Sequence, residues 1–353
     1  MARGVLLGVF LFAAACGAGG DDPNAGAGQR TGGNPTGGSP TGSGGSSSGT
    51  GGSGATGGTG IIITVPEGGL AGSGGGRSDG GGVIGPVPAD FTKTEAGGYK
   101  LGPPVTGAGT MDTGISNEGG CGMIVGVVRD LKGNNETMGH PDFERFSGST
   151  ATTGLVSDSL GADQKPVYVP LCEVANPPGA SCRNGQQTTG KTNYDQWYRA
   201  TAGVNQPYLI YFMFQVQPGT GVITFDSQHF FPLDAAGFMS AARGDDGQMH
   251  NFGFTTELHT KFRYQGGEIF TFEGDDDLWV FINGKLAIDL GGLHPALRGS
   301  VNLDTAATTL GITKGGVYLL ELFHAERHTS ASHFRLDTTL TLVDCGSIPP
   351  DIK

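Results

Sequence analysis

The chain has 353 residues, 36% of them hydrophobic and 15% charged, with a formal net charge of −12. That balance argues against a nucleic-acid partner, because phosphate backbones are bound by clustered Lys and Arg; it is compatible with cation binding. Many of the 67 Gly lie before residue 90, and excluding that part leaves about 250 residues, enough for one large or two small cores.

Residues 1–15 read as an export signal. Met1-Ala2-Arg3 supplies a positive charge, and residues 5–12 are apolar but too few to cross a bilayer. Ala13-Ala14-Ala15-Cys16 follows. The small residues suit an ordinary signal peptidase. They also resemble a bacterial lipobox, with Ala13 where Leu is usual, in which Cys16 becomes the lipid-bearing first residue. Either way the chain is expected to be exported, to the outer membrane or cell surface, with the lipid as its membrane contact. No second apolar run is long enough for a transmembrane helix.

Residues 16–104 read as a linker. Gly, Ser, Thr, Asn, Ala and Pro dominate, and such chain buries too little apolar surface to offset its entropy. Ile61-Ile62-Ile63-Thr64-Val65 is a brief β-prone interruption. Gly76-Arg77-Ser78-Asp79-Gly80 has the letters of a nucleophile elbow, but that motif has meaning only between a strand and a helix, and here it sits in a glycine tract. Arg243-Gly244-Asp245 is an integrin-type tripeptide by letters only.

From residue 105 the pattern changes. Runs rich in Val, Ile, Phe, Tyr and Thr occupy 123–128, 208–216, 221–225, 252–258, 269–272, 278–282, 285–290, 317–323 and 334–343. Gly, Pro, Asn or Asp separate them, and no long 3.6-residue period appears. The expected fold is all-β, an antiparallel β-sandwich or barrel spanning 105–345, with 346–353 as a tail. Asn283-Gly284 suits a two-residue hairpin turn between 278–282 and 285–290. Trp279, Phe281 and Phe323 are read as core or sheet-face residues rather than sugar-stacking platforms. Asp275, Asp276 and Asp277 stand at the hairpin's mouth. Three adjacent carboxylates repel unless water or a cation screens them, and a hard cation such as calcium tolerates irregular oxygen-lined loops.

Besides Cys16 there are four cysteines, Cys121, Cys172, Cys182 and Cys345. In an oxidising compartment they suggest two disulfides with three possible pairings. Cys172–Cys182, closing the loop 173–181, and Cys121–Cys345, stapling the domain's ends, are favoured. No CxxC pair supports zinc.

Several motifs agree in order with one family. Glu273-Gly274-Asp275-Asp276-Asp277-Leu278-Trp279-Val280-Phe281-Ile282-Asn283-Gly284 and Asp289-Leu290-Gly291-Gly292-Leu293-His294 resemble the core of the fibro-slime domain. So do His140-Pro141-Asp142-Phe143-Glu144, His250-Asn251-Phe252-Gly253-Phe254-Thr255-Thr256-Glu257 and Phe323-His324-Ala325-Glu326-Arg327-His328-Thr329. The resemblance covers roughly residues 120–343, and that family is similar to the lectin-like β-domains of anthrax protective antigen and yeast flocculins. It implies that Asp275 and Asp276, joined by a cis peptide, bind calcium, and that the calcium binds sugar hydroxyls. Asp277 replaces a frequent Gly and is a candidate third ligand, or else a solvated neighbour of the pair. The remaining ligands are expected from the loop 326–333, with Glu326 the candidate; His333 stands where Asn is frequent. Asp289 is expected either to hydrogen-bond a turn or to serve as a ligand.

The function expected is an exported, lipid-anchored bacterial surface protein that binds carbohydrate through calcium, for adhesion. The alternative is a structural surface or slime-layer protein without lectin activity. A glycosidase ranks lower: Glu273, Asp275–Asp277 and Glu326 offer paired carboxylates, but no separate catalytic domain fits in the chain, so no enzyme is expected.

Overall fold

The computed structural model describes residues 98–105, 111–112, 121, 123–173, 182 and 184–348; the expected signal segment, Cys16 and nearly all of the linker lie outside them. In chain order the strands are β1 (Tyr99–Pro104), β2 (Met111–Asp112), β3 (Met123–Leu131), β4 (Asn205–Met213), β5 (Gln215–Val216) and β6 (Ile223–Ser227). A small hairpin of β7 (Ala242–Arg243) and β8 (Met249–His250) follows. Then come β9 (Phe254–Arg263), β10 (Ile269–Gly274), β11 (Asp277–Ile282), β12 (Lys285–Leu290) and β13 (Leu297–Asn302). The series ends with β14 (Val317–Glu326), β15 (Phe334–Thr338), β16 (Thr341–Asp344) and β17 (Ser347–Ile348). Strand β1 falls in the stretch read as linker and pairs with β4, so the folded part begins ahead of residue 105.

These strands form two main antiparallel sheets. The larger runs β1-β4-β3-β9-β14-β11-β12, with β16 also on β9. The smaller runs β13-β10-β15-β6-β5. The core between them takes Leu278, Val280, Ile282, Leu320 and Leu322 from the larger sheet, and Phe225, Phe270, Phe272, Phe334 and Leu336 from the smaller.

Strand β11 is buried at every position, which a strand with one wet face cannot be. Its side chains alternate between two cores. Leu278, Val280 and Ile282 enter the sandwich. Trp279 and Phe281 point the other way, into a second core with Phe143, Leu155, Tyr194, Trp197, Tyr198 and Phe323. The irregular chain between β3 and β4, whose one helix among the described residues is the short α1 (Lys191–Tyr194), supplies most of that second layer. Each large apolar side chain so buried contributes about 1.5–3 kcal/mol.

The β11–β12 turn has Asn283 at φ 53° and Gly284 at φ 70°, the left-handed pair that a two-residue hairpin needs. Helix α2 (Leu303–Leu310) follows β13. The Asn302 side chain caps its start by accepting from the Thr305 amide, and Gly311 ends it at φ 67°. Disulfides join Cys121 to Cys345 and Cys172 to Cys182.

Candidate functional site

The ends of β10, β11 and β14 converge where the acidic run lies. Strand β10 closes on Gly274, whose α-carbon passes so near β15 that a Cβ would come within 2.3 Å of the His333 carbonyl oxygen. Only glycine fits there, and the chain then turns through Asp275-Asp276 with a cis peptide between them.

Asp275 is clamped by one residue. Its Oδ1 accepts the His333 amide at 2.5 Å, and its Oδ2 lies 3.1 Å from His333 Nδ1. The hydrogen bond to Asp275, against the opposing effect of burial, raises the His333 pKa. So His333, where Asn is frequent in the resembling family, acts here as a holder of the aspartate. On the backbone side, His324 Nε2 donates to the Asp275 carbonyl oxygen at 2.7 Å. Burial pushes the His324 pKa down to about 4, so the ring is neutral at ordinary pH.

Asp276 is held by main chain. The His294 amide donates to Oδ1 at 3.3 Å and the Arg327 amide to Oδ2 at 3.0 Å. Burial raises its pKa to about 7; the Arg327 charge opposes the rise, and Asp277 and Asp275 add to it. Glu326 is fully buried at the end of β14. Neither of its carboxylate oxygens has a hydrogen-bond partner; the Ser332 hydroxyl and His328 amide lie beside it, but not in hydrogen-bonding geometry. Burial, then the charges of Asp276 and Asp275, drive its pKa well above the ordinary carboxylate value.

Asp277, expected as a third ligand, is engaged elsewhere. The alternation of β11 turns it, like Trp279 and Phe281, toward the second core. There Arg327 Nε donates to Oδ2 at 2.7 Å, and the Gly292 amide donates to Oδ1 at 2.5 Å. Arg327 is the residue to which sequence reasoning gave no role, although it lies in the quoted Phe323–Thr329 motif. It is fully buried, stacks 4.5 Å over the Trp197 ring, and donates from Nη1 to the Asp142 and Gln187 carbonyl oxygens at 3.0 and 2.9 Å. A fixed, planar, permanently charged fork suits such a buried position. Asp289 accepts from Trp279 Nε1, the Gly291 amide and the Gly154 amide at 3.0, 3.1 and 2.8 Å, which is a turn-holding role.

Among the described residues, no three His, Cys, Asp or Glu side chains converge as a ready-made metal cage. Asp275 and Asp276 are nonetheless close enough to Glu326 for their charges to raise its proton affinity, and the nearby guanidinium is committed to Asp277. Calcium fits this donor set, because it accepts carboxylate, backbone and water oxygens in irregular arrangements.

Fold and site together define an antiparallel β-module with a buried aspartate pair at one strand end. Residues 232–353 match the profile of the PA14 domain, so a PA14 domain is present in the C-terminal third of the chain, which holds β9 to β17 and the acidic run. Two relatives come from Dictyostelium discoideum. Protein psiR is 35% identical over 223 residues, covering 61% of this chain and 21% of its own length. Protein psiJ is 36% identical over 229 residues, covering 61% of this chain and 30% of its own. The chain thus spans under a third of either relative. Among solved structures, a PA14 sugar-binding domain from an RTX adhesin is similar at TM-score 0.22 and 12% identity, over 37% of this chain and 79% of that one; a likeness that weak carries no argument.

Proposed function

We propose that this chain is an exported surface protein that binds carbohydrate through a calcium ion held by Asp275, Asp276 and Glu326. One observation carries the reading: the buried Glu326 carboxylate has no hydrogen-bond partner and lies beside two further carboxylates. An unpaired buried charge is costly, so the arrangement suits a cation. When bound, calcium supplies positive charge and open coordination positions for sugar hydroxyls. The chain's own residues set the donors. His333 and His324 fix Asp275, the amides of His294 and Arg327 fix Asp276, and the Arg327 guanidinium draws Asp277 out of the set. The PA14 domain over 232–353 supports a carbohydrate partner. Export through residues 1–15, with a lipid on Cys16, completes the proposal, and it includes no catalytic step.

A structural surface module is the second reading. It is favoured by the absence of a converged metal cage among the described residues and by the prior neutralisation of Asp277. The test is the melting temperature of the full chain with calcium or chelator, beside Asp276→Asn, followed by glycan binding with and without chelator. A ligand bound only by the folded state adds about 2.7 kcal/mol at a hundredfold excess over Kd. Calcium-dependent melting and calcium-dependent glycan capture, both lost in Asp276→Asn, are expected. A wild type indifferent to calcium refutes the calcium site; a calcium response without glycan capture leaves the structural module.

A further inference from the structure

The outer face of the larger sheet carries another group of buried ionisable side chains, which the calcium site does not use. At its centre is Glu257 on β9, whose side chain has 0% exposure. Lys165 Nζ contacts its Oε1, and the Lys165 side chain is also at 0% exposure. His259 Nε2 lies 2.5 Å from the same oxygen. Arg129 Nη1 donates to Oε2 at 2.7 Å. On the neighbouring strand β14, Glu321 stands opposite His259 in the register. It is 1% exposed, and its Oε2 has no hydrogen-bond partner. Lys165 is delivered by a tight turn in which the Gly161 amide donates to the Lys165 carbonyl oxygen at 2.8 Å and the Gln164 amide to the Gly161 carbonyl oxygen at 3.0 Å.

A long, flexible lysine enclosed this completely loses both its hydration and its side-chain entropy. The arrangement has the parts of a condensation site: an amine in contact with a carboxyl, a cation on the far carboxylate oxygen, a ring N–H on the near one, and a further carboxyl beside them. We propose that Lys165 and Glu257 are joined by an intramolecular amide bond, formed within the folded domain. A bond forms from Lys165 Nζ to Glu257 Cδ, and the Cδ–Oε1 bond breaks. Glu321 takes one proton from the ammonium and hands it to the departing oxygen; the same nitrogen supplies the second, and Oε1 leaves as water. The remaining proton stays on the amide nitrogen. No oxidant, metal or co-reactant is required.

Each neighbour has a role in that step. Arg129 stabilises the negative charge on Oε2 as the tetrahedral carbon forms, the task of an oxyanion hole. His259 Nε2 donates to the oxygen that leaves. Burial, and then the charge of Glu257, raise the Glu321 pKa to about 7, where a carboxyl both accepts and releases protons near neutral pH. The product exchanges a buried ammonium and a buried carboxylate for one neutral amide, and it ties the irregular second layer covalently to the central strand β9. This inference is independent of calcium and of carbohydrate.

The test is mass spectrometry of the full chain, denatured and reduced, with peptide mapping. Lys165 precedes Pro166, so trypsin leaves that bond intact in either state. The expected result is a fragment joining residues 146–183 to 244–261, one water lighter than the sum of the two. Lys165→Met returns the two fragments separately, and Glu321→Gln slows the joining by about 10²-fold or more, the usual worth of general acid–base catalysis. Recovery of the two fragments separately and at full mass from the folded wild type overturns the proposal and leaves Lys165–Glu257 a salt bridge. The wild-type map decides the matter even if a variant fails to fold.

Discussion

Replacing Glu321 with Gln is expected to change the shape of the stability–pH curve rather than only its height. In the folded protein the Glu321 carboxyl titrates at about 7, against an ordinary 4.5, because it is buried and because Glu257 lies nearby. Its folded value is raised above its unfolded value. Between those two values the native state therefore keeps a proton that the unfolded state has already released, and stability falls as pH rises. The contribution is fully present below about pH 4.5 and lost by the time the pH has passed about 7. A separation of ~2.5 units at 1.36 kcal/mol each amounts to about 3 kcal/mol. Other raised carboxylates, Asp276 and Glu326 among them, bend both curves equally and cancel in the difference. Urea unfolding at pH 5 and pH 8 reads the effect. Relative to the wild type, Glu321→Gln gains about 2.5 kcal/mol on going from pH 5 to pH 8; any packing cost of the substituted side chain, and any loss of the Lys165–Glu257 link in the variant, is the same at both pH values and cancels. Two parallel curves would show that Glu321 is solvated or ion-paired, and would refute the reasoning.

Two further perturbations address what holds the site and the domain. Arg327→Met leaves Asp277 buried without its cation, and loss of one partner from such a pair costs about 3–5 kcal/mol; a denaturant midpoint unchanged from wild type would mean that water replaces the guanidinium. Opening Cys121–Cys345, whose cysteines are 224 residues apart, should cost about 5 kcal/mol on the chain-entropy account, against about 3 for Cys172–Cys182 with its separation of 10. Serine variants at each pair, compared by thermal melting, test that ordering.

The strands were legible because period-2 runs and turn residues fix them locally. The runs at 269–272 and 317–323 lie inside β10 and β14, and Asn283-Gly284 makes the expected turn. Strand β1 was not legible: Tyr99-Lys100-Leu101-Gly102-Pro103-Pro104 has linker composition and is a strand only because β4 offers it an edge. Nor was the second core, because the chain from 132 to 204 has no period and its Tyr194, Trp197 and Tyr198 acquire meaning only when laid on Trp279 and Phe323. At the site, the spacing brought out three aspartates but did not separate them. The separation comes from strand parity, which turns Asp277 to the opposite face, and from Arg327, a partner 50 residues away.

The disulfide between Cys121 and Cys345 also governs how the domain carries mechanical load. A pull that enters the chain before Cys121 and leaves after Cys345 passes through the sulfur–sulfur bond, and the residues between them are bypassed. Strand β1 with its β4 pairing on one side of the bond, and β17 on the other, are then the parts exposed to shear, while β9 to β15, the cis aspartate pair and the Lys165–Glu257 contact lie off the loaded path. Under tension the geometry around Asp275 and Asp276 is uncoupled from a force applied to the chain on either side of the two cysteines.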